Sequence, residues 1–167
     1  MKFIVLAAAT LAIAACEKKS EQPISSAPPP PQQSSNAAPQ ANVNEQMYAP
    51  GSQEELEATA GSRIYFAYDD YSLDARAQAT LQKQAEWMRK YPNKSVVIEG
   101  HCDERGTREY NLALGARRAE SAKRYLVSLG IDEGRINTIS YGKERPEVVG
   151  SNEAAWAQNR RDVTVVQ

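Results

Sequence analysis

With 167 residues the chain has room for one ordinary domain, and its prolines divide it unevenly: seven of nine (Pro23, Pro28, Pro29, Pro30, Pro31, Pro39 and Pro50) lie in the first third. The folded part is then the remainder, from about Arg63 to Gln167, whose 105 residues can bury one core without disulfides or metals to staple it. A formal net charge of −1 and a pI near 5.9 exclude a chain built on non-specific attraction to nucleic acid, and no nucleic-acid partner is expected.

Lys2 followed by the apolar run Phe3 to Ala15 has the charge and hydropathy profile of a secretory signal, and is too short to cross a bilayer, which takes about 20 apolar residues. Its end, Ile13-Ala14-Ala15-Cys16, resembles a bacterial lipobox. Small residues at Ala14 and Ala15 let a peptidase reach the backbone, and the Cys16 thiol would accept the lipid and become the new N-terminus. A signal of the ordinary kind, cut near Ala15, would instead leave Cys16 free or paired to Cys102. The small pair and the cysteine fall where the apolar run stops, which favours lipidation of Cys16. Several acyl chains hold a protein to a membrane far more firmly than one, at about 0.8 kcal/mol per buried CH₂. Glu17 in the next position is compatible with sorting to the outer membrane.

Residues 16–62 are then expected to form a lipidated N-terminus and a linker, because the stretch rich in Pro, Ser, Gln and Asn lacks the apolar content to fold. Pro28 to Pro31 favour a stiff polyproline II segment within a flexible tether. About 40 such residues reach on the order of 120 Å fully extended and average nearer about 35 Å as a coil. Gln53 to Ala60 has the composition of a short helix leading into the domain.

Ile64 to Tyr68 is the first predicted strand, and Ser72 or Asp74 the cap of the helix that follows. Ala77, Leu81, Ala85 and Met88 recur at helical spacing, predicting a helix from about Asp74 to Lys90, ended by Pro92 and Asn93. Ser95 to Glu99 reads as a buried second strand. Gly100 to Gly106 is a polar loop, and Thr107 is placed to cap the next helix with Glu109 in its first turn. Along that helix Leu112, Ala119, Ala122, Leu126 and Leu129 form an expected core stripe, closed by Gly130 at C′. A second, polar or small stripe of Asn111, Gly115 and Arg118 is offset by about a quarter turn. Glycine inside a helix costs about 1 kcal/mol relative to alanine, so Gly115 marks a close approach, either of a ligand or of the sheet. Arg135 to Tyr141 alternates as a third strand, Glu153 to Gln158 can form a short helix, and Val163 to Val166 a last strand. The expected fold is α/β, βαβαββ, a mixed sheet with both main helices on one face, behind a disordered tether.

The loop holds the only histidine, and His101, Cys102 and Asp103 are the residue types of a cysteine nucleophile with its base and orienter. They are consecutive, however, and neighbouring side chains in extended chain point apart. One His beside one Cys, without a second pair at ligand spacing, is also a weak zinc signal. Neither catalysis nor a metal nor a cofactor is expected. A binding role uses the same loop without strain: Asp103 as acceptor for an ammonium, Arg118 as a forked donor for a carboxylate, and Thr107 with the N–H groups at the helix start for a further carboxylate. Against this, Asp103 can be an ordinary loop cap and Arg118 a solvated surface residue.

GHCDERGTREYN, then LGARRA, SYGKERP and a terminal NRR resemble, in that order, the OmpA-like peptidoglycan-binding domain family, and within it a lipoprotein branch from Gram-negative bacteria; the match runs from about Ile64 to Val166. The resemblance implies an outer-membrane lipoprotein with its domain in the periplasm. It would hold the peptidoglycan stem peptide non-covalently by meso-diaminopimelate, which carries an ammonium and a carboxylate at a D-centre. By position, the family's acidic residue falls on Asp103 and its arginine on Arg118, with Asn111 and Leu114 lining the site. Asp69 and Tyr71 match the loop after the first strand, and Arg160 and Arg161 the terminal motif. The family resemblance also implies a periplasmic TolB-like partner and the other Tol–Pal components, acting in envelope integrity and cell division. An alternative is a lipoprotein acting mainly through that TolB-like partner, with minor wall contact. Cys102 departs from the Thr or Ala of many relatives, and if Cys16 is acylated it has no partner in the chain.

Overall fold

A computed structural model describes residues 48–167. The signal segment, Cys16 and the proline-rich stretch therefore lie outside the described residues. Eight elements follow in order: α1 (Gln53–Thr59), β1 (Arg63–Tyr65), α2 (Ala75–Lys90), β2 (Val96–His101), α3 (Arg108–Ser128), β3 (Ile136–Gly142), α4 (Glu153–Asn159) and β4 (Arg161–Val166). The strands form one mixed sheet in the order β1-β4-β2-β3. β2 and β3 are parallel and joined by α3, whereas β4 runs antiparallel between β1 and β2.

Local chemistry sets the helix starts. Asp74 accepts from the Ala77 N–H and Thr107 from the Tyr110 N–H, so each occupies the N-cap, and Gly130 follows α3 with φ 90°. Ile64, Val96, Ile98 and Ile136 point from the sheet to the face covered by Leu81, Ala85 and Met88 of α2 and Ala119, Ala122 and Leu126 of α3. Burying each larger aliphatic side chain contributes about 2 kcal/mol. Gln84 is a polar residue in this core; its amide donates to Gly61 O at 2.7 Å and accepts from Thr164 Oγ1 at 2.9 Å, so each end of the amide has a partner.

The packed unit includes α1, ahead of the Arg63 boundary expected from composition. Leu56 is fully buried, and Glu55 joins α1 to α2 by accepting from Trp87 Nε1 and Tyr91 Oη. β1 is shorter than the expected Ile64 to Tyr68. After Tyr65 the chain leaves the sheet: Phe66 N–H still donates to Arg160 O at 3.0 Å, but the Ala67 and Asp70 carbonyls turn toward Arg118.

α3 also sits at a different rotation from the expected one. Asn111, Leu114, Gly115 and Arg118 are buried together with Ala119, Ala122 and Leu126, while Leu112 and Leu129 are only half-buried. The two expected stripes are one face. The cause is a glycine pair: a Cβ on Gly100 would lie 2.0 Å from Gly115 O, and one on Gly115 would lie 3.0 Å from Gly100 O. Backbone touches backbone there, which draws the N-terminal half of α3 down onto β2 and buries whatever flanks Gly115.

Candidate functional site

Arg118 is the largest side chain that this approach buries, and it has no solvent exposure. A buried guanidinium requires acceptors, and they come from backbone on two sides. Nε donates to Asp70 O at 2.8 Å, Nη2 to Ala67 O at 3.1 Å, and Nη1 to His101 O at 2.9 Å and to Cys102 Sγ at 3.5 Å. Burial lowers the Arg118 pKa from its ordinary value, opposed by Cys102 and Asp162 nearby, but an arginine keeps its charge under such a shift. Four of its five N–H groups are thus assigned, leaving one on Nη2. The solvated-surface alternative for Arg118 is overturned, because the loop from Ala67 to Asp70 folds across it.

Asp103 lies in the loop between β2 and α3 and is also buried. Its carboxylate takes a fork from Arg105, with Nε to Oδ1 at 3.1 Å and Nη2 to Oδ2 at 2.6 Å, and the Arg105 backbone N–H at 3.0 Å. Arg160 Nη1 stands 3.4 Å from Oδ2. Burial pushes the Asp103 carboxyl up, but the Arg105 donors outweigh it and hold it below the usual carboxylate range. Arg160 is fixed in turn by Nε to Phe66 O at 3.1 Å and Nη2 to Glu153 Oε1 at 2.6 Å.

These groups surround a cavity of about 200 Å³ at one end of the sheet. Asp69, Asp103, Asn111, Leu114, Arg118 and Arg160, six of the residues singled out from sequence, line it together. Thr107 and Tyr71 are not in the lining: Thr107 is spent on its cap, and Tyr71 is exposed under the Arg117 guanidinium. Arg161 points elsewhere, to Glu147 Oε2 at 2.8 Å. Sequence reasoning missed Tyr68, Arg105 and Tyr110, which complete the wall. Tyr110 Oη donates to Asp69 Oδ1, and Asp69 takes φ 54°, a left-handed conformation in which it accepts that bond. The crowding of acids and bases in CDERGTREY was the available signal for Arg105 and Tyr110.

His101 and Cys102 diverge. The His101 ring lies 5.5 Å from the Tyr141 ring, whereas the Cys102 thiol lines the cavity and donates to Asn111 O at 3.3 Å. Burial pushes the Cys102 thiol up to about 11, so it carries no thiolate at neutral pH. Asn111 serves the loop with its amide, donating to Arg105 O at 2.8 Å and Thr107 O at 3.0 Å.

A mixed sheet covered on one face, ending in a cavity lined by three arginines and two aspartates, defines a small α/β domain with an ionic cavity at one end of its sheet. The sequence model of the OmpA family matches residues 65–160, and the chain belongs to that family. It is 57% identical over 117 residues to the peptidoglycan-associated lipoprotein of Rhizobium meliloti (strain 1021) and 54% identical over 117 residues to that of Agrobacterium fabrum. Each match covers 70% of this chain and 66% of the relative, just under two thirds of the relative's length. The crystal structure of the peptidoglycan-associated lipoprotein from Burkholderia pseudomallei is similar with a TM-score of 0.62 and 45% identity, over 64% of this chain and 90% of that one. The C-terminal domain of Helicobacter pylori MotB, at 17% identity and TM-score 0.59 over 63% of this chain and 83% of that one, shares the fold alone.

Proposed function

We propose that this chain holds the diaminopimelate-containing stem peptide of peptidoglycan in the Asp103–Arg118 cavity and tethers the outer membrane to the wall through a lipid on Cys16. The observation that carries the reading is a buried carboxylate and a buried guanidinium on one small cavity, on the fold of relatives named for their association with peptidoglycan. Asp103 receives the free ammonium of the D-centre, and the unassigned Nη2 hydrogen of Arg118 meets its carboxylate. Leu114 and Asn111 close the wall against the methylene chain. With three arginines against two aspartates the cavity favours a ligand with more carboxylates than ammoniums, which a stem peptide is. Holding requires no bond to be made or broken, and no residue is assigned a catalytic role. Thr107 and Tyr71 belong to the rim, where a longer glycan-linked ligand would pass, and Asp69 lines the cavity beside Tyr110. In the same reading the periplasmic domain also engages a TolB-like protein and its Tol–Pal partners, in support of envelope integrity and division.

The test is co-sedimentation of the chain with purified sacculi. Asp103→Ala should lower the affinity by about a hundredfold, the scale of a lost charge-assisted pair in a buried site, while thermal unfolding remains cooperative. A stem peptide with lysine in place of diaminopimelate keeps the ammonium and lacks the carboxylate, and should bind far more weakly. Equal binding of the two peptides, or of wild type and Asp103→Ala to sacculi, would remove the assignment.

A further inference from the structure

The side chain that fills the ammonium position in this structure is the protein's own. The Arg105 guanidinium carbon lies 4.0 Å from the ring centre of Tyr68 and 4.0 Å from that of Trp156, while its fork closes on Asp103. Two aromatic faces and a carboxylate form a slot suited to any organic cation, because ring quadrupole and carboxylate attract the same charge. Trp156 comes from α4, 52 residues beyond Glu104, and its indole N–H is fixed on Glu104 Oε1 at 3.1 Å. The Trp156 wall therefore does not depend on the occupant of the slot.

The loop backbone is likewise held without the Arg105 side chain. Lys143 Nζ donates to Glu104 O at 3.1 Å and to Gly106 O at 2.7 Å, and Asn111 donates to Arg105 O. Arg105 remains 29% exposed at its side chain, so it can swing to solvent while the loop stays in place. Asp103 would keep Arg160 as its neighbour after that departure.

We propose that Tyr68, Trp156 and Asp103 form a cation slot for the ammonium of the ligand, that Arg105 occupies it in the empty protein, and that binding requires Arg105 to leave. This rests on the stem-peptide assignment of the cavity and adds to it an internal competitor. A competitor that fills the slot most of the time weakens apparent affinity by its occupancy ratio, on the order of tenfold if Arg105 is in place about nine-tenths of the time. The slot also discriminates: a ligand without a free cation gains nothing from displacing Arg105.

The experiment is calorimetric titration of the full chain with the tripeptide N-acetyl-L-Ala-γ-D-Glu-meso-diaminopimelate, whose one free amine is at the D-centre, and with the same peptide acetylated there as well. Arg105→Gln should bind the free-amine peptide roughly tenfold more tightly than wild type, and should not recover the doubly acetylated one. Adding Tyr68→Ala to Arg105→Gln removes a wall that is 62% exposed, so the fold should be unaffected, and it should cancel most of the gain. Arg105→Gln binding as wild type does, or more weakly, would overturn the competitor while leaving the stem-peptide reading intact. Failure of both wild type and Arg105→Gln to bind either peptide would overturn both.

Discussion

Two carboxylates at separate places in this domain, the half-buried Glu55 and the buried Asp103, are each ringed by donors, and the donors differ in kind. Glu55 is held by the Gly51 N–H at 2.7 Å, the Trp87 indole at 3.2 Å, the Tyr91 hydroxyl at 2.7 Å and Lys90 at 3.1 Å. Three of those four are neutral groups fixed by backbone or core packing. Asp103 is held mainly by arginine side chains, one of them partly exposed, beside an open cavity. A carboxylate saturated by immobile neutral donors joins two helices; one balanced by cations that can move is ready to exchange them for another cation. The environment, more than the burial, separates a structural acid from a binding acid.

The comparison breaks if the two sites trade phenotypes. The largest effect expected anywhere in the chain is the roughly hundredfold loss of sacculus binding in Asp103→Ala, with a smaller effect on stability, because Arg105 relaxes toward solvent and Arg160 keeps Phe66 O and Glu153 as acceptors. Glu55→Ala should do the opposite. It strands the Trp87 and Tyr91 donors and loosens α1, at a cost of about 3 kcal/mol by denaturant unfolding, with sacculus binding unchanged. Glu55 also dictates the acid limb. Burial pushes it up, but Tyr91, Gly51 and Lys90 outweigh that and hold it at about 2 against the ordinary 4.5. A lowered carboxyl contributes stability above about 4.5 and loses it as pH falls toward 2, so Glu55→Ala should flatten the stability profile in that window.

His101 controls a higher window. Burial, then the Arg161 charge, lower it from 6.5 to about 4, and neither ring nitrogen has a hydrogen-bond partner among the described residues; Glu99 Oε2 stands 3.7 Å away. The histidine is neutral in the fold, and protons bind the unfolded chain first as pH falls below 6.5. Stability is therefore complete above 6.5 and declines toward 4, by about 2 kcal/mol at pH 5. His101→Phe, which keeps a ring beside Tyr141, should match wild type at pH 7 and exceed it at pH 5, measured by urea unfolding at both pH values. A parallel decline in both proteins would remove His101 as the cause.

How much of this was legible in the sequence follows the distance over which each feature is decided. The cap at Thr107, the choice between Ser72 and Asp74 that the structure resolves to Asp74, the stop at Gly130 and the faces of α2 depend on residues three or four apart, and the local pattern displays them. The burial of Arg118 depends on carbonyls at Ala67 and Asp70, reached only when the chain after β1 crosses the sheet end. The partnership of Arg105 with Trp156 depends on α4 returning to the loop. Neither leaves a local pattern. Gly115 lay between these cases: a glycine within a helical pattern announced a close approach, but only the pairing with Gly100 shows that the sheet made it. The motif resemblance supplied Asp103 and Arg118 by position and could not say that Arg118 is pinned or that Asp103 already holds a cation.

A third carboxylate sharpens the contrast by having no donor at all. Asp162 on β4 is 1% exposed, and both its oxygens lack a hydrogen-bond partner among the described residues. Burial pushes its pKa well above the ordinary 3.8, opposed by the Arg118 and Arg161 charges. A raised carboxyl contributes most below the unfolded value and loses that contribution as pH rises, so at neutral pH Asp162 costs stability. Asp162→Asn keeps the shape and removes the ionisation. It should stabilise the domain by about 1 kcal/mol at pH 7, with the gain narrowing as pH falls toward 4. Binding of the tripeptide should be unchanged, because Arg118 retains its three backbone acceptors from Ala67, Asp70 and His101. If Asp162→Asn weakens binding while stabilising the fold, Arg118 is being aimed by the acid behind it and the backbone carbonyls only hold it in place.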